Sequence, residues 1–297
     1  MAGWDDILKE IQSAKSQFDF IRNKYMDNLE KYSGRNVIAY YSAWLTKNNA
    51  VNTDINDIDM TGFMNAINGL NCSKGLDLIL HTPGGSPVAA EAIVKYLRSK
   101  FDNNIKIIVP QLAMSAGTMI ACSGNSIIMG KHSSLGPIDP QFNGIPAYNI
   151  KMEYEEAKTD LASNPQNANY WSLIFQKYPA AFLKTALDSI SLSGTLLEDW
   201  LGTCMFDKLI PDDIGIINTI VSKLNQHDDS LTHGRHFDIM FCKNIGLKII
   251  DLESDSGLQD AVLSVHHAFM HTMGITNATK IIENHQGKAW INSVTEK

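Results

Sequence analysis

The sequence has little positive charge and no long apolar run. Its 297 residues include 25 Lys and Arg against 32 Asp and Glu, a formal net charge of −7. Because such a chain offers no basic surface to a phosphate backbone, sequence-independent nucleic-acid binding is not expected. No stretch reaches the roughly 18 apolar residues of a membrane span, and the first residues are acidic where a signal peptide would be basic. We therefore expect a cytoplasmic protein without a membrane span.

Cysteine is scarce as well. The four cysteines are Cys72, Cys122, Cys204 and Cys242. They form no C-x-x-C pair, which argues against a disulfide framework and a zinc knuckle, and Cys122 lies in an apolar helical pattern that predicts a buried, unreactive thiol. His267 and His271 have the i, i+4 spacing of a zinc-binding helix, but no H-E-x-x-H motif or third ligand accompanies them. The sequence therefore predicts no metal and no cofactor.

The N-terminal segment, residues 1–34, is predicted to be a helix that ends at Ser33-Gly34. Its apolar residues recur at alternating steps of three and four: Trp4, Ile7, Ile11, Ala14, Phe18, Ile21 and Tyr25. This is the a/d spacing of a helix that packs along one narrow seam. The helix could form an oligomerisation seam with another subunit, or it could lie on its own domain, and the spacing favours neither.

An alternation of strands and helices follows. The runs predicted as buried strands are 36–41, 76–80, 105–109 and 127–129. A helix from Pro87 to Phe101, with Ser86 as its N-cap, fills one βαβ crossover, and a second apolar helix begins after Ser115. The pattern predicts an α/β fold with a mostly parallel sheet, in which ligands collect at the carboxyl ends of the strands. Residues 35–250 are predicted to form one core, and 251–297 a helical tail.

Two turns at that edge of the sheet carry residues suited to acyl transfer. Ser115 lies between a strand and a helix, a position that can present a hydroxyl at the top of a sheet, although a serine there can also be an ordinary N-cap. Gly84-Gly85 ends the strand 30 residues upstream, one βαβ period, so parallel neighbouring strands would bring the two turns together. Glycines let peptide N–H groups face a developing oxyanion without a Cβ in the way.

Three motifs extend this pattern: H-T-P-G-G (81–85), V-P-Q-L-A-M-S-A-G-T (109–118) and L-G-P-I-D-P-Q (135–141). In this order and spacing they resemble the SDH-type (serine dehydrogenase proteinase) family of Clp-fold serine proteinases, which is related to signal peptide peptidase A and the crotonases. The resemblance implies the ClpP/crotonase-like spiral, a ββα superhelix, and a homo-oligomer. It also implies that Ser115 is the nucleophile and that Gly84, Gly85 and the Ala116 N–H form the oxyanion hole.

The resemblance leaves the general base open. Where the Clp protease has its histidine, this sequence has Asp139, and His233 falls where that enzyme has its acid, so the two could be an exchanged pair with His233 as base. Relatives of signal peptide peptidase use a lysine from a later segment, and Lys158 or Lys151 lies in the corresponding region. A buried lysine can act as a base because burial lowers its pKa. We rank the pair His233–Asp139 first.

Together the motifs predict a soluble, ATP-independent serine peptidase that cleaves a peptide or unfolded protein through a Ser115 acyl-enzyme. Two alternatives stay open at this point. A crotonase-like acyl-CoA enzyme would share the oxyanion hole, but it would need carboxylates and a CoA site where this sequence has Ser115. A non-catalytic assembly protein would keep the fold as a scaffold.

Overall fold

The computed structural model describes residues 3–13, 18–47, 50–206, 208–225 and 232–294. The strands are β1 (Asn36–Ser42), β2 (Leu76–His81), β3 (Ile105–Val109), β4 (Leu112–Ala113), β5 (Ser126–Met129), β6 (Ser134–Leu135), β7 (Gln141–Phe142), β8 (Ile145–Pro146), β9 (Ile249–Asp251), β10 (Ala278–Asn284) and β11 (Ala289–Ser293). The α-helices are α1 (Trp4–Ser13), α2 (Phe18–Ser33), α3 (Asp59–Ile67), α4 (Pro87–Phe101), α5 (Ala116–Cys122), α6 (Ala147–Ser163), α7 (Ala168–Phe175), α8 (Phe182–Trp200), α9 (Pro211–Asn225), α10 (Ile239–Asn244) and α11 (Ser256–Ile275). Short 3₁₀ helices span Cys72–Lys74, Pro165–Asn167 and Leu252–Ser254, and a π-helical turn spans Leu201–Met205.

A seven-stranded sheet forms the centre of the protein, in the order β11-β10-β1-β2-β3-β5-β9. The pairs from β1 to β9 are parallel, whereas β10 is antiparallel to both β1 and β11. Ile38, Leu78, Ile107 and Ile127 lie side by side across this sheet. The mixed α/β fold with a mostly parallel sheet confirms the predicted fold class, and the four predicted strands are β1, β2, β3 and β5.

Helices cover both faces of the sheet, which explains why its central strands are apolar on both sides. On one face, α3, α4, α5, α8, α9 and α10 pack against residues such as Leu78 and Ile107. On the other face, α1, α2 and α11 pack against residues such as Ile79 and Ile108. Successive residues of a strand point to opposite faces, so a strand with a helical layer on each side needs an uninterrupted apolar run. None of the helices in the described ranges is both long and apolar enough to cross a membrane.

The apolar N-terminal seam packs inside this chain. Ile7, Ile11, Ile21 and Tyr25 are all at least 92% buried, in a cluster that also contains Phe269 of α11. Both α1 and α2 lie within the predicted helical segment, and the predicted seam position Ala14 lies outside the described residues. This burial supports the second alternative, a helix on its own domain, and the oligomerisation seam stays a prediction. The homo-oligomer implied by the resemblance stays a prediction.

The C-terminal segment differs from the predicted helical tail. After α11 it forms β10 and β11, and β10 lies between β1 and β11 in the central sheet. The sequence of β10 does not look like a buried strand, because it carries Lys280 and Glu283. All seven of its residues are nevertheless buried. Each charge has a buried partner from a distant part of the chain, Asp59 for Lys280 and Arg22 for Glu283. The sheet thus unites residues from the predicted core and the predicted tail.

Candidate active site

Ser115 has an unusual backbone conformation at the start of α5. Its φ of 52° and ψ of −118° lie in a region that residues with a Cβ rarely adopt. Such strain concentrates at functional sites, where the surrounding structure holds it in place. The Ser115 side chain occupies the N-cap position but makes no capping hydrogen bond. The ordinary N-cap interpretation therefore does not explain this serine.

The two predicted turns lie side by side, as their spacing predicts. Thr82 pairs with Ala113 in a parallel bridge, and the Met114 N–H donates to the Thr82 carbonyl over 3.0 Å. This ladder brings Gly84 so close to Ser115 that a Cβ built on Gly84 would lie 2.6 Å from Ser115 Cβ and from the Met114 carbonyl oxygen. The Gly84 N–H donates to Thr82 Oγ1. Gly84 therefore allows its turn to approach Ser115 closely, while its own N–H is already hydrogen-bonded to Thr82 Oγ1.

A separate segment holds Gly85 from the other side. The Ile55 N–H donates to the Gly84 carbonyl over 2.7 Å, and the Ser86 N–H donates to the Ile55 carbonyl over 2.8 Å. A Cβ on Gly85 would lie 2.4 Å from both Ile55 N and Ile55 O, and the φ of Gly85 is +148°. Only glycine fits between Ile55 and the cleft at this position.

Replacing Gly84 with alanine is expected to lower the free energy of unfolding by about 2–5 kcal/mol, because the new Cβ adds overpacking to the strain of a positive φ. Gly34→Ala is the matched control. Gly34 also has a positive φ, of +69°, but its Cβ would meet nothing within 4 Å, so the expected loss is about 1–2 kcal/mol from backbone strain alone. Urea denaturation of both variants measures the difference. Equal losses would contradict the close approach of Gly84 to Ser115.

His233 and Asp139 form the predicted pair. His233 Nδ1 lies 2.8 Å from Asp139 Oδ1, and since a carboxylate only accepts, Nδ1 donates. Asp139 is 1% exposed, and its second oxygen accepts a hydrogen bond from Gln141 Nε2 over 2.9 Å. The Asp139 contact places the proton of a neutral imidazole on Nδ1 and leaves Nε2 as an acceptor. The His233 side chain is 30% exposed, so solvent and ligands can reach it.

The two alternative bases make contacts elsewhere on α6. Lys158 is exposed on α6, and its Nζ lies 2.8 Å from Glu155 Oε2. The hydrogen bond with Glu155 raises the pKa of Lys158, which is the opposite of what a lysine base needs. Lys151 lies over the ring of Tyr148, with its Nζ 5.5 Å from the ring centre. Lys158 thus lies in solvent and lacks the burial that a lysine base would need.

A cleft of about 450 Å³ brings the predicted residues together. It is lined by Pro83, Gly85, Pro87, Val88, Ser115, Ala116, Met119, Ile138, Pro140, Gln141, Phe142, Ser189, Leu192, Ser193 and His233. Ser115, His233, Gly85 and Ala116 therefore face one space, and neither Lys158 nor Lys151 contributes to its lining. Apart from His233, none of the described residues that line the cleft carries an ionisable side chain. The cleft is thus a mostly apolar groove whose polar side chains are those of Ser115, Gln141, Ser189, Ser193 and His233.

Several lining residues escaped the sequence-based reasoning. Gln141 stands two residues after Asp139 within the L-G-P-I-D-P-Q motif, and this proximity was a usable signal. Ser189, Leu192 and Ser193 lie on α8, about one turn apart, and nothing in the sequence links that helix to the turns more than 70 residues upstream. Ile55 lies in a polar loop, where its pairing with Gly85 could not be foreseen.

Two further candidates from the sequence are the Cys122 thiol and the histidine pair with zinc-binding spacing. The Cys122 thiol is fully buried, as predicted, and burial raises its pKa. His271 packs against the ring of Trp4 and shares a hydrogen bond with the Trp4 carbonyl. Within the ranges that the structure describes, no group of three or more His, Cys, Asp or Glu side chains could hold a metal ion. The arrangement of Ser115, His233 and Asp139 supplies what acyl transfer requires: a hydroxyl, an imidazole and a carboxylate that orients it.

Comparison with known proteins identifies one matching family and two similar proteins. The family described as ClpP-like SDH-type serine proteinase matches residues 15–167, slightly more than half of the chain. Two uncharacterized proteins of Methanocaldococcus jannaschii are similar: MJ0137 is 40% identical over 106 residues, and MJ1495 is 42% identical over 79 residues. These alignments span 36% and 27% of this chain, and 37% and 27% of the relatives. Ser115 and Asp139 lie within the family match, whereas His233 and α8 lie beyond it.

Proposed function

Because the chain belongs to the family of ClpP-like SDH-type serine proteinases, we propose that it is a serine peptidase with Ser115 as its nucleophile. His233 acts as general base, and Asp139 holds the imidazole in the tautomer that accepts a proton at Nε2. The observation that carries the proposal is the 2.8 Å contact between His233 Nδ1 and Asp139 Oδ1, beside a cleft that His233 and Ser115 both line.

Acylation begins when Ser115 Oγ attacks the carbonyl carbon of a peptide bond and its proton passes to His233 Nε2. The carbonyl oxygen takes up the electron pair of the C=O bond and becomes the oxyanion of a tetrahedral intermediate. Collapse of this intermediate restores the C=O bond and breaks the C–N bond, and His233 returns the proton to the leaving amine. The acyl part of the substrate is then an ester of Ser115.

The oxyanion is stabilised by the N–H groups of Gly85 and Ala116. Both residues line the cleft beside Ser115. The Ala116 N–H belongs to the first turn of α5, whose amides have no acceptor within the helix. Gly84 contributes differently from the other two, because its amide donates to Thr82 Oγ1, and its role is to let the turn approach Ser115. Donors fixed in advance at this point lower the barrier without reorganising during the reaction.

Deacylation repeats these steps with water as the nucleophile. His233 removes a proton from the water molecule as it attacks the ester, and then protonates Ser115 Oγ as the carboxylic acid product leaves. No step requires ATP. The Gly-Gly turn also lacks the G-K-[ST] sequence with which a P-loop binds phosphate. The peptidase therefore acts without ATP, and its cytoplasmic location and homo-oligomeric state stay predictions.

The lining of the cleft indicates the class of substrate. Val88, Met119, Phe142 and Leu192 give it an apolar surface, and an unpaired charge entering it would lose its hydration without a partner. The residue on the acyl side of the cleaved bond is therefore apolar. Such residues are accessible in peptides and unfolded proteins, whereas folded proteins bury most of them.

Fluorogenic peptides with Phe, Leu or Met before the cleaved bond are expected to be hydrolysed without nucleotide. Their kcat/KM should exceed that of matched peptides with Asp or Lys by at least about ten-fold, because the charged residue would be desolvated without compensation. A panel that varies this one residue measures the effect. Equal rates for the apolar and charged peptides would contradict the proposed substrate class. A requirement for ATP would contradict the ATP-independent mechanism. If the folded protein cleaves no peptide, the assignment as a peptidase is contradicted.

The acyl-CoA alternative has less support, because a serine stands at the turn where that chemistry needs a carboxylate. A purely structural protein would have no use for the strained backbone of Ser115 or for the contact between His233 and buried Asp139.

A further inference from the structure

A fully buried ion pair lies outside the cleft and has no part in the mechanism so far. Lys280 of β10 and Asp59 of α3 are both 0% exposed, and Lys280 Nζ lies 2.7 Å from Asp59 Oδ1. Taking two charges out of water is unfavourable, and a well-packed apolar pair often gives equal or greater stability. Burial in fact raises the pKa of Asp59, while the charge of Lys280 opposes that shift. Stability alone is thus a weak explanation for this pair.

The pair fixes one short segment, residues 54–59. Lys280 Nζ also donates to the Asp54 carbonyl over 2.5 Å, at the start of the segment. At its end, Asp59 Oδ2 accepts hydrogen bonds from the Tyr40 hydroxyl over 2.8 Å and from the Asn56 N–H over 3.1 Å. Lys280, Asp59 and Tyr40 therefore hold both ends of the segment from within the core.

The same segment carries Ile55, which holds the Gly-Gly turn. Ile55 forms a parallel bridge with Gly85, accepting from the Ser86 N–H and donating to the Gly84 carbonyl. Two peptide planes, one on each side of Gly85, are thereby tied to Ile55. The direction of the Gly85 N–H, which faces the cleft in the proposed mechanism, depends on where Ile55 sits.

We propose that Lys280, Asp59 and Tyr40 are positioning residues that set the oxyanion donor Gly85 through the segment 54–59. This inference rests on the proposed function and extends it to β10, a strand outside the family match. Donors stabilise an oxyanion at distances of about 2.7–3.1 Å from its oxygen, so a small displacement of Ile55 affects the reaction more than the binding of substrate.

The mildest test replaces Tyr40 with phenylalanine, which removes the hydrogen bond to Asp59 and a side-chain interaction with Thr82 but leaves all charges. Tyr41→Phe is the matched control: Tyr41 is the adjacent residue of β1, equally buried, and its hydroxyl contacts His266 on the opposite face of the sheet. A fluorophosphonate probe supplies the readout, because its phosphoryl oxygen enters the oxyanion hole as the serine reacts. The maximal inactivation rate, kinact, reports the reaction, and KI reports prior binding.

Tyr40→Phe is expected to lower kinact about five-fold with KI within two-fold of wild type, while Tyr41→Phe changes neither by more than about two-fold. Rates are normalised to the folded fraction from circular dichroism. Equal kinact for the two variants, or a change in KI alone, would overturn the proposal. A wild-type protein and a Tyr41→Phe variant that both fail to react would instead contradict the proposed function, so the two failures are distinguishable.

A second pair of variants removes a buried charge. Asp59→Asn is expected to lower kinact at least ten-fold. Its control, Glu283→Gln, lies on the same strand as Lys280 and breaks an equally buried ion pair with Arg22, on the face that packs against α2 and α11. Glu283→Gln should lower the melting temperature but keep kinact per folded molecule within two-fold of wild type. If both variants lose stability and neither loses kinact, Lys280 and Asp59 serve the fold alone and the inference is wrong.

Discussion

Replacing Ser115 with alanine is expected to lower the rate of peptide hydrolysis by about 10⁴-fold or more, to the level that the oxyanion hole and binding sustain alone. The reason is that, among the described lining residues, the other hydroxyls are those of Ser189 and Ser193, which lie on α8 and not at the strained turn beside Gly84-Gly85. The measurement is kcat/KM with the best peptide of the panel. The fold should be preserved, because the Ser115 side chain makes no capping hydrogen bond that α5 would lose.

Ser189→Ala is the control for this variant. It removes a hydroxyl from the same cleft, and that hydroxyl donates within α8 to the Thr185 carbonyl. Its kcat/KM should stay within about three-fold of wild type, the size of effect common for changes to residues that only line a site. A Ser115→Ala variant that retains wild-type activity would exclude this serine as the nucleophile.

The second large effect is expected for the pair behind the nucleophile. Asp139→Asn should lower kcat/KM by about 10³–10⁴-fold, because an amide can present an N–H to His233 Nδ1 and so stabilise the wrong tautomer. His233→Ala should cause a loss of the same order, since it removes the base itself. Kinetics of the two single variants and of the double variant provide the measurement. The double variant should lose little more than either single one, because the two residues act as a unit.

Lys158→Met separates the histidine base from the lysine alternative. Lys158 is exposed and paired with Glu155, so its removal should leave kcat/KM within about two-fold of wild type, as expected for an exposed ion pair. The opposite pattern, with activity lost in Lys158→Met and kept in Asp139→Asn, would contradict the assignment of His233 as base.

The sequence was most informative where local pattern and tertiary role agree. The strands β1, β2, β3 and β5 are continuous apolar runs because helices cover both faces of the sheet. The βαβ spacing of 30 residues predicts that Gly84-Gly85 lies beside Ser115, as the structure has it. Both predictions rest on rules about neighbouring strands, which the structure obeys.

Long-range pairing could not be read from the sequence. Lys280 and Glu283 make β10 look like a charged surface segment, and their partners lie 221 and 261 residues away. The spacing of Ile7, Ile11, Ile21 and Tyr25 suits a coiled coil and a core helix equally, and only the position of α11 distinguishes the two. The contribution of α8 to the lining of the cleft likewise depends on packing between residues that are far apart in the sequence.

The sequence alone also does not identify the general base. His233 and Asp139 are 94 residues apart, and their link could be proposed only from the resemblance. The sequence ranks Lys158 only second to this pair and does not exclude it, because the exposure of Lys158 depends on the orientation of α6. The exposure of Lys158 and the 2.8 Å contact between His233 and Asp139 support the proposed choice of His233.

Mass mapping after treatment with a fluorophosphonate tests the central claim most directly. The intact protein should gain the mass of one phosphonyl group, and the modified peptide should carry it on Ser115, with no adduct in Asp139→Asn after the same exposure. An unmodified wild-type protein, or an adduct on a serine other than Ser115, would contradict the account.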